Sequence, residues 1–316
     1  MAVTDVGVVT GCVKDSHTCR AEILAHSRLV DSRWQRTLSC YPVNRTGSNP
    51  QINPKAAVVV IIPARYASTR LPGKALIDIA GKPMVCWVAE RAQAARNVSR
   101  VIVATDSHEI FRAVQSRGIE VALTAPDHTS GTDRIAEVAA TLPDAEIIVN
   151  VQGDEPLISP ETIERAVEAM INEMEDPASK IGIVTSWEPI ESVEDLLNPD
   201  LVKIVLDDDN RAIYFSRSLI PYPRDVAKKY GDPQVALRNE PELLQHFRKH
   251  TGLYVYRRDV LLEFTKWPQS QLEQIESLEQ LRALEHGVGI KAVKACTTST
   301  GVDTVEDLER VRELVR

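Results

Sequence analysis

The stretch VVVIIPARYASTRLPGK, residues 58–74, constrains this chain more than any other. Five consecutive β-branched residues, Val58 to Ile62, form a run suited to a strand buried on both faces of a parallel sheet rather than to an amphipathic helix. Pro63 lacks the N–H that a ladder needs, so regular pairing is expected to stop there. The loop beyond it carries Arg65, Arg70 and Lys74 and a Pro72-Gly73 turn that lets backbone approach whatever the cations hold. Open α/β sheets bind ligands at the carboxyl ends of their strands. A polyanion site is one reading of this loop; a solvated basic loop is the other.

With 316 residues and 43% hydrophobic content, the chain can bury a sizeable core in one large domain or two. Its net charge of -8 and the lack of any Lys/Arg block argue against nucleic acid as the main ligand, while leaving room for a local nucleotide pocket. The cysteines, Cys12, Cys19, Cys40, Cys86 and Cys296, form no CxxC pair and are odd in number, which fits a reducing, cytoplasmic setting rather than a disulfide framework. Cys12, His17 and Cys19 lie close together but lack a second ligand cluster at zinc spacing. No window approaches the roughly 20 apolar residues of a membrane span, so no membrane insertion is expected.

Residues 1–55 mix short apolar pieces with scattered arginines and end in an Asn/Gly/Ser/Pro-rich linker. Ala21 to Trp34 offers a weak helix, and a docking or targeting role is open to it. Asp5, Asp15, Glu22 and Asp31 speak against a transit peptide, and a mostly disordered extension is expected. From Ala56 onward strand and helix patterns alternate: strands at Val58 to Ile62, Val101 to Thr105, Ile119 to Leu123 and Glu146 to Val151, with helices starting near Pro83, His108, Thr132 and Pro160. Such repeated β-α-β units predict a mixed, mostly parallel α/β sheet flanked by helices, Rossmann-like, over residues 56–316. An inserted antiparallel subregion is expected over about 200–260. There Lys203 to Leu206 and Ala212 to Phe215, separated by Asp207-Asp208-Asp209-Asn210, read as a hairpin. Gly252 to Arg257 and Ile290 to Ala295 read as strands, Gln271 to Glu285 as one helix, and a last helix is capped by Thr304 with Asp307.

Asp154, in Gln152-Gly153-Asp154-Glu155-Pro156, follows an apolar strand. Asp303 follows the final strand and precedes a helix. Two aspartates at strand ends beside a cationic loop suit a magnesium ion carrying a phosphate chain, because magnesium takes one or two carboxylates and leaves its other positions to water and phosphate. Taken singly, Asp154 is equally a turn residue and Asp303 a helix N-terminal charge. Gly131-Thr132-Asp133-Arg134 could offer N–H groups to a ribose or phosphate, with Thr132 also an ordinary cap. Arg217 could hold a carboxylate as a bidentate fork. His250 and Tyr254 are by themselves more often packing residues, and Glu276, Glu279 and Gln280 read as a solvated helix face.

ARYASTRLPGK at 64–74, NVQGDEP at 150–156, YFSRSLIP at 214–221, LEQLR at 278–282 and GVDTVEDLERVR at 301–312 resemble the 3-deoxy-manno-octulosonate (Kdo) cytidylyltransferases. The resemblance spans Val58 to the C-terminus. It implies a usually dimeric nucleotidyltransferase of the nucleotide-diphospho-sugar transferase fold, converting CTP and Kdo into CMP-Kdo and pyrophosphate for lipopolysaccharide synthesis. Carried over residue by residue, it implies that Arg65, Ser68, Arg70 and Lys74 meet the CTP phosphates and that Gln152 helps hold the nucleotide. Asp154 and Asp303 would bind Mg2+, and Arg217, His250, Tyr254, Glu279 and Gln280 would line the Kdo site. A homodimer in the cytoplasm is the corresponding expectation.

Three alternatives stand beside this. A cytidylyltransferase for another acidic sugar, 8-amino-Kdo or a sialic acid, would share the chemistry; the YASTR and SRSLIP segments favour Kdo over sialic acid. A non-catalytic nucleotide-binding module would have lost Lys74 or a metal aspartate, and both are present. A glycosyltransferase would need an Asp-x-Asp motif after a central strand, whereas Asp207-Asp208-Asp209 sits in a hairpin turn. Deleting residues 1–55 is expected to leave pyrophosphate release from CTP and Kdo essentially unchanged, as measured on the shortened chain.

Overall fold

The computed structural model describes residues 57–66 and 71–315. The extension of residues 1–55, and the loop positions Ser68 and Arg70, lie outside the described residues.

The strands, in chain order, are β1 (Ala57–Ala64), β2 (Asp78–Ile79), β3 (Lys82–Pro83), β4 (Arg100–Thr105), β5 (Glu120–Leu123), β6 (Ala145–Asn150), β7 (Ile181–Pro189), β8 (Lys203–Leu206), β9 (Ala212–Ser216), β10 (Arg248–Arg257) and β11 (Gly289–Lys294). Among the described residues, all but the small β2–β3 ribbon join one nine-stranded sheet, whose main path runs β11-β7-β10-β6-β1-β4-β5. β1 lies in its interior, parallel to both β4 and β6. Pro63 does not end this strand. Pairing with β6 stops at Ile61 opposite Asn150, while pairing with β4 continues through Pro63 to Ala64. The proline's missing donor therefore falls where no neighbour needs it.

Alternation along β1 divides the core. Val58, Val60 and Ile62 pack with Val85, Val88 and Ala92 of α1 (Met84–Gln93) and Ile163 and Val167 of α4 (Pro160–Glu175). Val59 and Ile61 pack on the opposite face with Ile135 of α3 (Gly131–Ala140) and Leu261 of α8 (Arg258–Phe264). Ile61 and Ile62 are wholly buried, and each such side chain contributes about 1.5–3 kcal/mol of transfer free energy. Helix α2 (His108–Gln115) covers the β4–β5 end, capped by Ser107. Ser130, not Thr132, caps α3 through the Asp133 N–H.

Two features depart from expectation. β7 has no counterpart among the anticipated strands, and β10 runs antiparallel between β6 and β7 in the middle of the sheet. The anticipated β8–β9 hairpin is present, and it hangs on β10 through Lys203 opposite Lys249. Its acidic turn is local chemistry: Asp207 Oδ1 accepts the N–H groups of Asp209 at 2.9 Å and Arg211 at 2.7 Å. The inserted region also carries α5 (Val193–Leu197), α6 (Arg224–Tyr230) and α7 (Pro233–Asn239), and buries a small core of Leu196, Leu237 and Phe247.

The single helix expected over Gln271 to Glu285 is two, α9 (Gln271–Glu276) and α10 (Gln280–Glu285), with Ser277 left-handed between them at φ 52°. The break is held by a buried ion pair: Arg282 Nε donates to Glu273 Oε2 at 2.7 Å and Nη2 to Oε1. The Arg282 and Glu273 side chains are only 9% and 4% exposed. The last helix, α11 (Val305–Val315), begins at the anticipated reciprocal cap, in which Asp307 N–H donates to Thr304 Oγ1 and Thr304 N–H to Asp307 Oδ2.

Removing one partner of a buried pair strands the other charge. Arg282→Met is expected to lower unfolding free energy by about 3–5 kcal/mol, with the double variant Glu273→Met/Arg282→Met losing clearly less. Urea unfolding of the two variants measures both values.

Candidate active site

The loop after β1 returns to the sheet at a 3-10 turn, Lys74–Leu76, closed by Gly73 N–H donating to Tyr66 O at 3.3 Å and Lys74 N–H to Leu71 O at 3.1 Å. This turn sends the Lys74 side chain, 13% exposed, to Asp154 Oδ2 at 2.6 Å and Asp303 Oδ1 at 2.8 Å. Burial opposes the ammonium, but the Asp154 carboxylate, joined by Asp303, outweighs it and raises the Lys74 pKa above the ordinary lysine value.

Local sequence explains both carboxylates. Asp154 follows Gly153, which crosses the end of β1 so closely that a Cβ there would lie 2.8 Å from Pro63 O. Only glycine permits that approach. Asp303 follows Val302, which is wholly buried against Ile79, Met84 and Leu308, and whose N–H donates to Asp154 O at 2.9 Å. The two aspartates do meet, but Asp303 is brought there by the irregular segment after β11 (Gly289–Lys294) and not by the end of that strand.

These three residues line a cleft of about 460 Å³ together with Arg65, Gln152, His128, Gly131 and Arg134. Gln152 Nε2 donates to Asn150 Oδ1 at 3.2 Å, and Arg65 is exposed. The segment opening α3 offers more than its N–H groups, because it also supplies Arg134. That guanidinium, on a residue 3% exposed, is fixed to Asp106 Oδ2 at 2.8 Å and to the Thr124 hydroxyl. An aspartate just past the end of β4 was the available clue. Glu155, beside Asp154, is also buried; burial, reinforced by the Asp154 charge, pushes its carboxyl up to about 7, against the hydrogen bond it accepts from Ser299.

The residues tied by resemblance to a sugar site do not line this cleft. His250 and Tyr254 stand on β10, their ring centroids 5.2 Å apart, and Phe215 meets His250 edge-on at 5.1 Å. Tyr254 pairs with Asn150 across the ladder, and Asn150 in turn accepts from Gln152, so the two groups adjoin through β6. Glu279 and Gln280 sit at the start of α10; Gln280 is buried, and burial raises the Glu279 carboxyl, so this is no solvated helix face. Arg217 offers no open fork. Its Nε donates to Glu276 O at 2.8 Å, Nη1 to Pro199 O at 3.0 Å and Nη2 to Ser277 O at 3.4 Å. Carbonyls of the α9–α10 break, which sequence periodicity hides, occupy it.

Among the described residues no group of three or more His, Cys, Asp or Glu side chains could hold a metal, and no helix is long and apolar enough to cross a membrane. The Asp154–Asp303 pair nevertheless fits a magnesium ion. It presents two hard oxygen donors around a point already taken by a cation, the Lys74 ammonium, and magnesium shared with a phosphate chain needs no more protein ligands than that.

Residues 59–293 match the family model described as cytidylyltransferase, which sets the class. The chain is 51% identical over 259 residues to the 3-deoxy-manno-octulosonate cytidylyltransferase of Geobacter sulfurreducens, covering 82% of this chain and 99% of that protein. It is 48% identical to the enzyme of the same name from Trichlorobacter lovleyi, covering 82% and 98%. The solved structure of CMP:2-keto-3-deoxy-manno-octonic acid synthetase complexed with CTP superposes with a TM-score of 0.72 at 42% identity, over 82% of this chain and 98% of that one. The chain belongs to the 3-deoxy-manno-octulosonate cytidylyltransferase family.

The His250 environment makes a pH prediction. Thr185 donates its hydroxyl proton to Leu253 O at 2.7 Å, so it accepts from His250 Nε2 at 2.8 Å. The ring is neutral, and burial pushes its pKa from 6.5 to about 3. The unfolded chain takes up a proton near 6.5 that the folded chain refuses until about 3, so stability is lost as pH falls through that window. His250→Gln is expected to reduce the pH dependence of urea unfolding between pH 7.5 and 5 by up to one proton, and an unchanged slope would contradict the assignment.

Proposed function

We propose that the chain activates 3-deoxy-D-manno-octulosonate by joining it to CMP from CTP, with release of pyrophosphate. Beyond the family, one observation carries this reading. The Lys74 ammonium is gripped by Asp154 and Asp303 in the wall of the cleft, where a triphosphate and its counter-cation would meet.

The anomeric hydroxyl oxygen attacks the α-phosphorus. The new O–P bond forms as the bond to the β-phosphate oxygen breaks, and pyrophosphate departs with that electron pair while the hydroxyl gives up its proton to water. Little covalent work falls to the protein in such a transfer; positioning and charge neutralisation do most of it. Lys74, swung from the carboxylates to the phosphates, offsets charge accumulating on the leaving group, and Arg65 adds a second cation at the cleft wall. Ser68 and Arg70 are assigned to the phosphates by the family resemblance alone. Gln152 holds the nucleotide near the start of α3, a helix end whose dipole favours an anion.

Asp154 and Asp303 would hold Mg2+, which when bound supplies positive charge at the reacting phosphate. His250, Tyr254, Glu279 and Gln280 form the wall assigned to the sugar acid. Arg217 closes that wall through the α9–α10 carbonyls, and it contacts a sugar carboxylate once those bonds are released. A homodimer in the cytoplasm is part of this proposal, checked by sedimentation and by cell fractionation.

With CTP, Mg2+ and Kdo the purified protein is expected to release pyrophosphate, with parallel reactions on 8-amino-Kdo and a sialic acid setting the sugar preference. Asp154→Asn and Asp303→Asn should each lower kcat by about 10²–10³-fold with an unchanged circular dichroism spectrum. No release above the no-enzyme control sinks the activity; near wild-type turnover in either variant removes that aspartate from the site.

A further inference from the structure

The segment that carries Asp303 has neither helix nor strand over residues 295–304, yet its backbone is bound to other elements at several points. Ala295 N–H donates to Trp187 O at 2.9 Å and Cys296 N–H to Thr162 Oγ1 at 2.9 Å. Ser299 is held twice: its N–H donates to Glu188 Oε1 at 2.7 Å and its hydroxyl to Glu155 Oε2 at 3.1 Å. Val302 N–H then meets Asp154 O.

Glu188 is the unusual member of this set. It lies near the end of β7, is 3% exposed, and has its second oxygen 2.9 Å from Lys249 Nζ on the neighbouring β10. A buried carboxylate costs several kcal/mol to desolvate, more than a single surface loop contact returns. Its placement is explained if what it secures is the position of the segment four residues before Asp303. A carboxylate accepting a backbone N–H is a charge-assisted bond, stiffer than the neutral bonds elsewhere in the segment. It acts from outside the donor set, as the partners that orient metal ligands do.

We propose that Glu188 is a positioning residue for the Asp154–Asp303 site: through Ser299 it latches the 296–303 segment to β7 and so sets where Asp303 stands relative to Asp154. This rests on the reading of those two aspartates as the cation site. Glu188 touches neither substrate nor metal.

The test is direct Mn2+ binding to the full chain in the presence of CTP and without sugar, followed by the paramagnetic resonance of free Mn2+. Glu188→Ala is expected to weaken Mn2+ binding by about tenfold, the lower end of what loss of such an orienting partner costs. Its metal-free affinity for CTP should stay unchanged, and turnover should recover as Mg2+ is raised. Glu188→Gln keeps an oxygen acceptor for the Ser299 N–H and is expected to stay within about threefold of wild type. Glu188→Asp keeps a carboxylate on the Lys249 side but draws it back by one methylene from the Ser299 N–H, and is expected to weaken Mn2+ binding about as much as Glu188→Ala; should Glu188→Ala not fold, this variant decides. Unchanged Mn2+ binding in Glu188→Ala despite lowered stability, or in Glu188→Asp where that variant decides, overturns the latch. So does an equal loss in the alanine and glutamine variants. If wild-type Mn2+ binding is itself unaffected by Asp303→Asn, the cation site is wrong and the latch falls with it, an outcome distinct from failure of the latch alone.

Discussion

One ammonium and two carboxylates meet where the loop after β1, the end of β6 and the segment before α11 converge. The magnitudes say what this junction is for. Its carboxylates keep 38% and 55% of their side chains exposed, and pairs so open to water contribute about 1 kcal/mol or less. The buried side chains of β1 alone outweigh that several-fold. The fold therefore holds the junction together, and the junction does little to hold the fold. Two carboxylates kept this close raise each other's free energy unless a cation stands between them. An arrangement that adds little to stability and calls for a cation suits one that exchanges its lysine for a metal and a phosphate chain.

Much of this was legible in the chain. β-branched runs bounded by Gly, Pro and Asp located β1, β4 and β6, and the residues after those strands contain Lys74, Asp106 and Asp154. What was hidden has physical causes. β7 reads IGIVTSWEP, and its Thr185 and Ser186 look like surface positions, yet both are wholly buried because His250, Thr251 and the Leu253 carbonyl bond them. The direction of β10 leaves no trace in its own alternation, because strand direction is a property of pairing. The break at Ser277 puts a non-glycine residue in the left-handed region, where composition gives no warning and tertiary packing, through Arg282 and Glu273, decides.

The sugar-side residues were beyond periodicity for a related reason. His250, Tyr254, Glu279 and Arg217 come from different elements, and each is ordinary alone. Resemblance grouped them; the coordinates show His250 and Tyr254 ring to ring on β10 and Arg217 fastened to the α9–α10 break. The break thus has a second consequence. By exposing the carbonyls of Glu276 and Ser277 it gives Arg217 partners, so the position of that guanidinium depends on the buried Arg282–Glu273 pair.

Reversal of β10 is what joins the two halves. Pairing between β10 and β7 slips between Thr251 and Tyr254, and at that irregularity lies Gly252. A Cβ on Gly252 would stand 2.9 Å from Glu155 Oε1 and 3.1 Å from Gln152 Cγ. The missing side chain lets the loop after β6 lie directly against the strand that carries His250 and Tyr254. A methyl group there would push on Gln152 and Glu155 together, and hence on Asp154 and on Ser299, which Glu155 accepts. Gln152 and Glu155 on one side and the strand of His250 and Tyr254 on the other are therefore separated by little more than a glycine backbone, the closeness that the proposed attack of a sugar hydroxyl on the α-phosphorus requires.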